Sequence, residues 1–279
     1  MPKASRQADV SVEKNTNRII RILRWSRLTT HIGVGLFAVG ALYPRFSARR
    51  RSAFTGWWAR KLLRILNVLV SVHGLRPHAE AKNLIVTSNH ISWLDIFVIN
   101  ATQPSRFVAK SEVRDWPIAG WLCEKAGTIF IRRTRQRDTA RINETMRAIL
   151  AEGTTIGLFP EGTTTAGDKL LKFHTSLFEP AVANEATIAP VAIRYRNSDG
   201  EPSIAAAFIG ELSFAESVGQ IISQKSMIAE ITFAPHIAAT GQTRRELALQ
   251  AESAVAIILD VPLPHAHYRF TGDNPQAPI

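Results

Sequence analysis

Three features of this 279-residue chain point to an α/β fold, with a central sheet flanked by helices and a pair of basic helices ahead of it. From Asn83 onward, short β-rich runs alternate with helical stretches, as strands and crossovers do around one sheet. The first third holds the entire basic excess: residues 1–82 carry 16 Lys+Arg against 3 Asp+Glu, and residues 83–279 carry 18 against 20. Hydrophobic residues make up 46%, enough for a substantial core. This balance excludes a disordered chain, and the single Cys excludes a disulfide scaffold. No uninterrupted apolar run reaches the roughly 20 residues a spanning helix needs, which argues against a polytopic membrane protein.

Residues 1–17 are polar without an apolar period and read as a disordered tail. Arg18, Arg21, Arg24 and Arg27 then recur among Ile19, Ile20, Ile22, Leu23 and Trp25. This predicts a helix with a guanidinium stripe on one side and an apolar stripe with an indole on the other. Leu28 to Tyr43 is apolar apart from Thr29, Thr30 and His31 and is closed by Pro44, with Arg27 and Arg45 at its flanks. A spanning helix concentrates its Lys/Arg on one flank, so residues 18–72 read as a helical pair that dips into one leaflet. The membrane-associating unit is drawn as residues 18–79. Each Lys/Arg near an anionic surface contributes on the order of 1 kcal/mol. Competing readings are a soluble hairpin that covers the core and a basic arm for nucleic acid; the Ile, Leu and Trp between the arginines favour the membrane.

Residues 80–261 form the α/β domain. Predicted strands are Leu84–Thr87, Arg106–Ala109, Thr128–Ile131, Thr155–Phe159, Thr187–Tyr195, Ile204–Ile209 and Met227–Phe233. Predicted helices are Trp93–Ala101, Ile118–Lys125, Thr139–Ala151, Ser176–Ala183, Phe214–Ser223 and Arg244–Leu259. Residues 262–279 are Pro-rich and read as an irregular tail.

Four segments carry chemistry. Asn89-His90-Ile91-Ser92-Trp93-Leu94-Asp95 follows an apolar run, at a strand's C-terminal end where open α/β sheets place ligands. With Ser92 as N-cap, His90 lies in the turn and Asp95 in the first helical turn. A carboxylate there accepts the imidazole Nδ1–H and leaves Nε2 to take a proton. In Gly127-Thr128-Ile129-Phe130-Ile131-Arg132-Arg133, strand alternation sends the two guanidinium groups to opposite sides. Phe159-Pro160-Glu161-Gly162-Thr163-Thr164 puts an acid and a permissive Gly at another strand end. Ala189-Pro190-Val191-Ala192-Ile193-Arg194 reads as a buried strand entered through Pro190.

In this order and separation the four segments resemble the motifs of the glycerolipid acyltransferase family, the group of the 1-acylglycerol-3-phosphate acyltransferases, over about residues 80–200. The resemblance implies that His90 is the general base and Asp95 its partner. It implies that Asn89, Gly127, Arg133, Glu161, Gly162 and Thr163 bind the acceptor, with Pro190 bordering the acyl-donor side. It also implies a mixed, mostly parallel sheet behind the N-terminal helical pair. The corresponding reaction moves a fatty acyl group from an acyl-CoA or acyl carrier protein thioester to the hydroxyl of a lyso-lipid. It needs neither cofactor nor metal and takes place on the cytoplasmic face of a bacterial inner membrane. The implied attachment is monotopic or through one short membrane helix.

One position departs from that pattern. Members that take a phosphorylated acceptor continue the third motif with Arg, whereas Thr164 stands here. Arg132, Arg133 or Lys172 can compensate, so lysophosphatidic acid is placed slightly ahead as acceptor. The Gly-Thr-Thr continuation, followed by Phe173-His174-Thr175-Ser176-Leu177-Phe178, looks like members that acylate lyso-ornithine lipid.

Other candidates read more plainly. His174 is assigned to packing or capping, and His265 and His267 to a solvated tail. Cys123 is assigned to a buried thiol. Trp116, Pro117 and Trp121 either shape an acyl channel or belong to the core, and Arg135 and Arg137 to a solvated loop. A thioesterase or lipase would need a Gly-x-Ser-x-Gly elbow, which the chain lacks. A catalytically inactive lipid-binding scaffold would have lost at least one of His90, Asp95 and Glu161.

Overall fold

A computed structural model describes residues 16–78, 81, 83–115, 119–125, 127–131 and 136–264. The readings on the two tails beyond these limits, and on Trp116, Pro117, Arg132, Arg133, Arg135, His265 and His267, lie outside the described residues, as does the Arg137 side chain.

The chain opens with α1 (Arg18–Phe37), a π-helical turn (Ala38–Leu42), a 3-10 turn (Tyr43–Arg45) and α2 (Ala48–Ile65). Strands and helices then alternate: β1 (Val68–Gly74), β2 (Leu84–Ser88), α3 (Leu94–Thr102), β3 (Arg106–Lys110), α4 (Ala119–Lys125), β4 (Ile129–Ile131), α5 (Gln136–Ala151) and β5 (Ile156–Leu158). The last part comprises α6 (Glu179–Ala183), β6 (Thr187–Asn197), α7 (Phe214–Ser223), β7 (Met227–Phe233), β8 (Ile237–Ala238) and α8 (Arg244–Leu259).

The eight strands make one mixed, mostly parallel sheet in the order β1-β7-β6-β2-β5-β3-β4, with β8 also on β6. Only the β6/β7 and β6/β8 pairs are antiparallel among the described residues. Strands covered on both faces read as near-continuous apolar runs, and neighbouring residues of β2 and β6 divide between two cores. Val86, Ala189, Val191 and Ile193 pack with α2, α3 and α7. Ile85, Ile188 and Ala192 pack with residues of α5, α6 and α8 on the opposite face. Two capping boxes, Ser213/Glu216 and Thr243/Glu246, start α7 and α8.

Three expectations change. The helical pair does not run to residue 72. Asn67 adopts a left-handed φ of 56°, and Val68–Gly74 pairs residue for residue with Met227–Phe233 as the sheet's edge strand. Its alternating Val residues suit a pleated surface better than a helix. Second, Ile204–Ile209 is not a strand. Pro202 precedes it, Ala207 N–H closes a turn on the Ile204 carbonyl, and Phe208 N–H donates to the Ile91 carbonyl at 2.9 Å, so the run folds as a loop beside the His90 turn. Third, the arginines of α1 do not share one side. At about 100° per residue, a spacing of three drifts by roughly 60° at each step, so Arg18 to Arg27 sweep half the helix. Arg24 falls on the inward face with Leu28, His31 and Gly35. Its guanidinium donates to the carbonyls of Ile222, Gln224 and Lys225 at 2.9, 2.5 and 3.0 Å, closing the C-terminal end of α7.

The outward side of α1 exposes Ile19, Ile22, Leu23, Trp25, Val34 and Phe37, and Trp57 of α2 is exposed as well. Residues 18–79 contain no Asp or Glu. No helix among the described residues is long and apolar enough to cross a membrane.

Candidate active site

The site lies at the C-terminal ends of β2 and β5. Asn89 brackets the turn: its Oδ1 accepts the Ile193 N–H at 2.8 Å and its Nδ2 donates to the Ile193 carbonyl at 3.0 Å. This fixes the end of β2 against β6 and commits the amide to main chain. Trp93, not Ser92, is the N-cap of α3; Ser92 Oγ accepts the Leu94 N–H at 3.2 Å just ahead of it, and Asp95 occupies the first turn of that helix.

Asp95 is wholly buried. Its Oδ2 accepts from His90 Nδ1 at 2.8 Å and from the main-chain N–H groups of Ile91 and Ser92 at 2.7 and 2.9 Å. Its Oδ1 accepts the Tyr195 hydroxyl at 2.7 Å. Four donors satisfy the hydrogen-bonding capacity of this buried carboxylate. The His90 side chain remains 20% exposed; its Nδ1 donates inward and leaves Nε2 as the basic atom.

The imidazole lies flat on Phe159, with centroids 3.9 Å apart and planes at 10°. Phe159 stacks in turn on Phe107 at 5.4 Å. Gly157 makes room for this ladder, since a Cβ there would stand 2.5 Å from Cε1 of Phe107. Behind the ring, Glu161 accepts the His90 main-chain N–H at 2.7 Å and the Leu171 N–H at 2.8 Å. Burial pushes its carboxyl up to about 7, while those two donors pull it back. A second buried acid, Glu252 of α8, accepts the Phe173 N–H at 2.7 Å, so two carboxylates hold the 171–173 segment.

Gly162 turns at φ 71° and Thr163 is exposed beside it. The Thr164 hydroxyl donates to the Phe208 carbonyl, and Thr165 N–H donates to the His90 carbonyl at 2.9 Å. A helix turn carrying a partnered base, next to a third-motif turn that holds its main chain, is an arrangement for proton abstraction at a strand end.

Comparison with known proteins gives the family. The family model described as Acyltransferase matches residues 69–194. A lyso-ornithine lipid O-acyltransferase from Pseudomonas aeruginosa is 38% identical over 248 residues, covering 87% of this chain and 94% of that one. The chain belongs to the glycerolipid acyltransferase family. A 1-acyl-sn-glycerol-3-phosphate acyltransferase from Neisseria gonorrhoeae is 35% identical over 159 residues, 57% of this chain and 62% of that one. The crystal structure of PlsC from Thermotoga maritima matches the acyltransferase fold with a TM-score of 0.65 at 21% identity, over 91% of this chain and 98% of the other.

Not every predicted site residue of this acyltransferase joins the cluster. His90, Asp95, Asn89, Glu161 and Gly162 come together. Gly127, with φ 84°, precedes β4, at the opposite strand end from His90 and Glu161. A Cβ there would meet the Arg106 side chain at 3.1 Å, so its role is a turn. Pro190 is buried within β6 beside Thr87. Its missing N–H falls between the β8 pairing, which ends at Ile188, and the β7 pairing, which begins at Val191. Cys123 is half-buried, and burial pushes its thiol up, away from thiolate chemistry. Among the described residues no cluster of His, Cys, Asp or Glu is placed to hold a metal.

The motifs left Tyr195, Phe107 and Glu252 without a role. Local signals marked two of the three: Tyr195 lies on the inward phase of an apolar strand, and Glu252 on the inward face of α8 beside Ala248, Ala251 and Val255.

Proposed function

We propose that this acyltransferase moves a fatty acyl group from an acyl-CoA or acyl carrier protein thioester to the hydroxyl of lyso-ornithine lipid, at the cytoplasmic face of a bacterial inner membrane. The observation that carries the reaction is the His90–Asp95 contact at 2.8 Å. His90 Nε2 takes the acceptor's hydroxyl proton as that oxygen attacks the thioester carbonyl. The tetrahedral intermediate then expels the thiolate, the C–S bond breaks as the ester C–O bond stands, and the proton passes to sulfur. A positioned base contributes roughly 10²–10⁴-fold. A thioester is already activated, so no covalent enzyme intermediate is needed.

Thr164 supports this choice of acceptor. Its hydroxyl ties the 204–209 loop to the third motif, and a neutral side chain offers no clamp for a phosphomonoester. The Pseudomonas relative and one from Rhodobacter capsulatus, 32% identical over 201 residues, are both lyso-ornithine lipid O-acyltransferases. The second reading is lysophosphatidic acid, supported by the Neisseria relative. The acid-free segment 18–79 and the exposed apolar side of α1 support an anionic membrane surface as partner.

Purified protein in anionic vesicles, supplied with an acyl thioester and each acceptor in turn, tests the proposal. Turnover of lyso-ornithine lipid well above lysophosphatidic acid is expected, and Thr164→Arg should raise the latter. The reverse preference moves the acceptor to lysophosphatidic acid, and turnover undiminished in His90→Ala removes the assigned base.

A further inference from the structure

We propose that Tyr195 is a positioning residue of the reaction, acting on His90 through Asp95; this rests on the base assigned above. Three N–H donors occupy Oδ2 of Asp95, so Oδ1 is the oxygen through which the carboxylate's charge is tuned. The Tyr195 hydroxyl fills that place at 2.7 Å. The two residues are 100 apart in sequence, and the fold delivers one to the other by register. The Asn89 bracket pins Ile193 to the end of β2. Tyr195, two residues on, points to the same face as Ile193, the face that α3 covers. A Phe would fill the same space, whereas a buried phenol must find an acceptor, and here it finds the base's own partner.

The effect on the base follows from charge. With His90 neutral the dyad is anionic; with the substrate's proton on His90 it is a neutral ion pair. A hydroxyl donor stabilises the anionic state more than the ion pair, and that difference is what the variants below read. Burial first, then the adjoining carboxylate, pushes the phenol far above its ordinary range, so it remains a donor. The other acids around the dyad are Glu161, bonded to the His90 main chain, and Glu252 behind it on α8. Glu161 bonds the main chain of His90 and Leu171 whereas the Tyr195 hydroxyl bonds Asp95, so a change at Tyr195 reports the dyad.

The test is kcat/KM against pH for the full chain in vesicles, with Tyr195→Phe, Asp95→Asn, the double variant and His90→Ala. In Tyr195→Phe the acid limb should move up by about half to one pH unit. Well down that limb this lowers kcat/KM about 3–10-fold, with the deficit closing above it and KM for the lyso-lipid unchanged. In the Asp95→Asn background the second substitution should leave the limb where the single variant puts it, because the hydroxyl acts on the limb through the carboxylate's charge. Incorporation of 3,5-difluorotyrosine at 195, a stronger donor of nearly the same shape, should move the limb down and serves if the Phe variant does not fold. An unmoved limb in both variants, or a loss equal at every pH, overturns the inference while an inactive His90→Ala leaves the base standing. An active His90→Ala overturns both.

Discussion

Replacing Asp95 by Asn removes one negative charge while keeping the geometry of its turn. Oδ2 faces three N–H donors and Oδ1 one hydroxyl. An Asn therefore places its carbonyl oxygen at the Oδ2 position, because its NH₂ there would meet the Ile91 and Ser92 N–H groups. The NH₂ then faces Tyr195, whose hydroxyl can rotate to accept. His90 keeps its Nδ1–H acceptor and its tautomer, unlike the serine-protease case in which the equivalent change inverts the tautomer and costs about 10⁴. What is lost is the charge beside the imidazolium. A hydrogen bond to a charged group contributes about 1.5–3 kcal/mol. The expected result is a fall of roughly 10- to 150-fold in kcat/KM. Thiol release from the acyl thioester, followed with a lyso-lipid acceptor, measures it. An unchanged rate would refute the reasoning.

Further tests address the other parts of the site. Glu161 has a folded-state value of about 7 against 4.5 unfolded, so the folded chain binds the extra proton between those limits. Its contribution is fully present below 4.5 and lost as pH rises through 7, by about 3 kcal/mol in total. Denaturation at pH 5 and pH 8 should show that decline in the parent and a flatter response in Glu161→Gln; equal slopes would count against it. Phe159→Leu keeps an apolar, somewhat smaller side chain but removes the ring under His90, worth about 0.5–1.5 kcal/mol plus its attraction for the imidazolium. Single-turnover rates should fall roughly 5- to 30-fold, and an unaltered rate would remove the stack from the mechanism. Arg24→Ala strands three carbonyls at the end of α7. A loss of about 2–4 kcal/mol is expected, read as a lower melting midpoint, and an unchanged midpoint would show that water replaces the guanidinium.

The parts legible from residues in order were those with local causes. Short apolar runs marked β2 and β6 because both faces of these strands are covered, and β7 was marked by alternation, one face buried and the other half-buried. The limits of α7 and α8 were readable because each begins on its own capping box. His90 and Asp95 were readable because a strand end, a cap and the first turn of a helix are set by neighbours in sequence. The reading of residues 68–74 went astray because an edge strand beside a helix looks like more helix until its partner is known, and β1's partner lies about 160 residues away. The arginine spacing misled for a different reason: a repeat of three is nearly, but not quite, helical.

Charge pattern, motif order and strand–helix alternation together determined the fold type and the kind of chemistry, and marked His90 and Asp95 as the candidate pair. Folding in space settled which side of α1 faces inward, which end of a strand Gly127 occupies, and which hydroxyl completes Asp95. The difference is one of range. Periodicity and capping act within a few bonds of a residue and leave their mark in its neighbours. The approach of Tyr195 to Asp95, or of Arg24 to the end of α7, arises only when separate segments are packed against one sheet, and nothing adjacent in the chain has to record it.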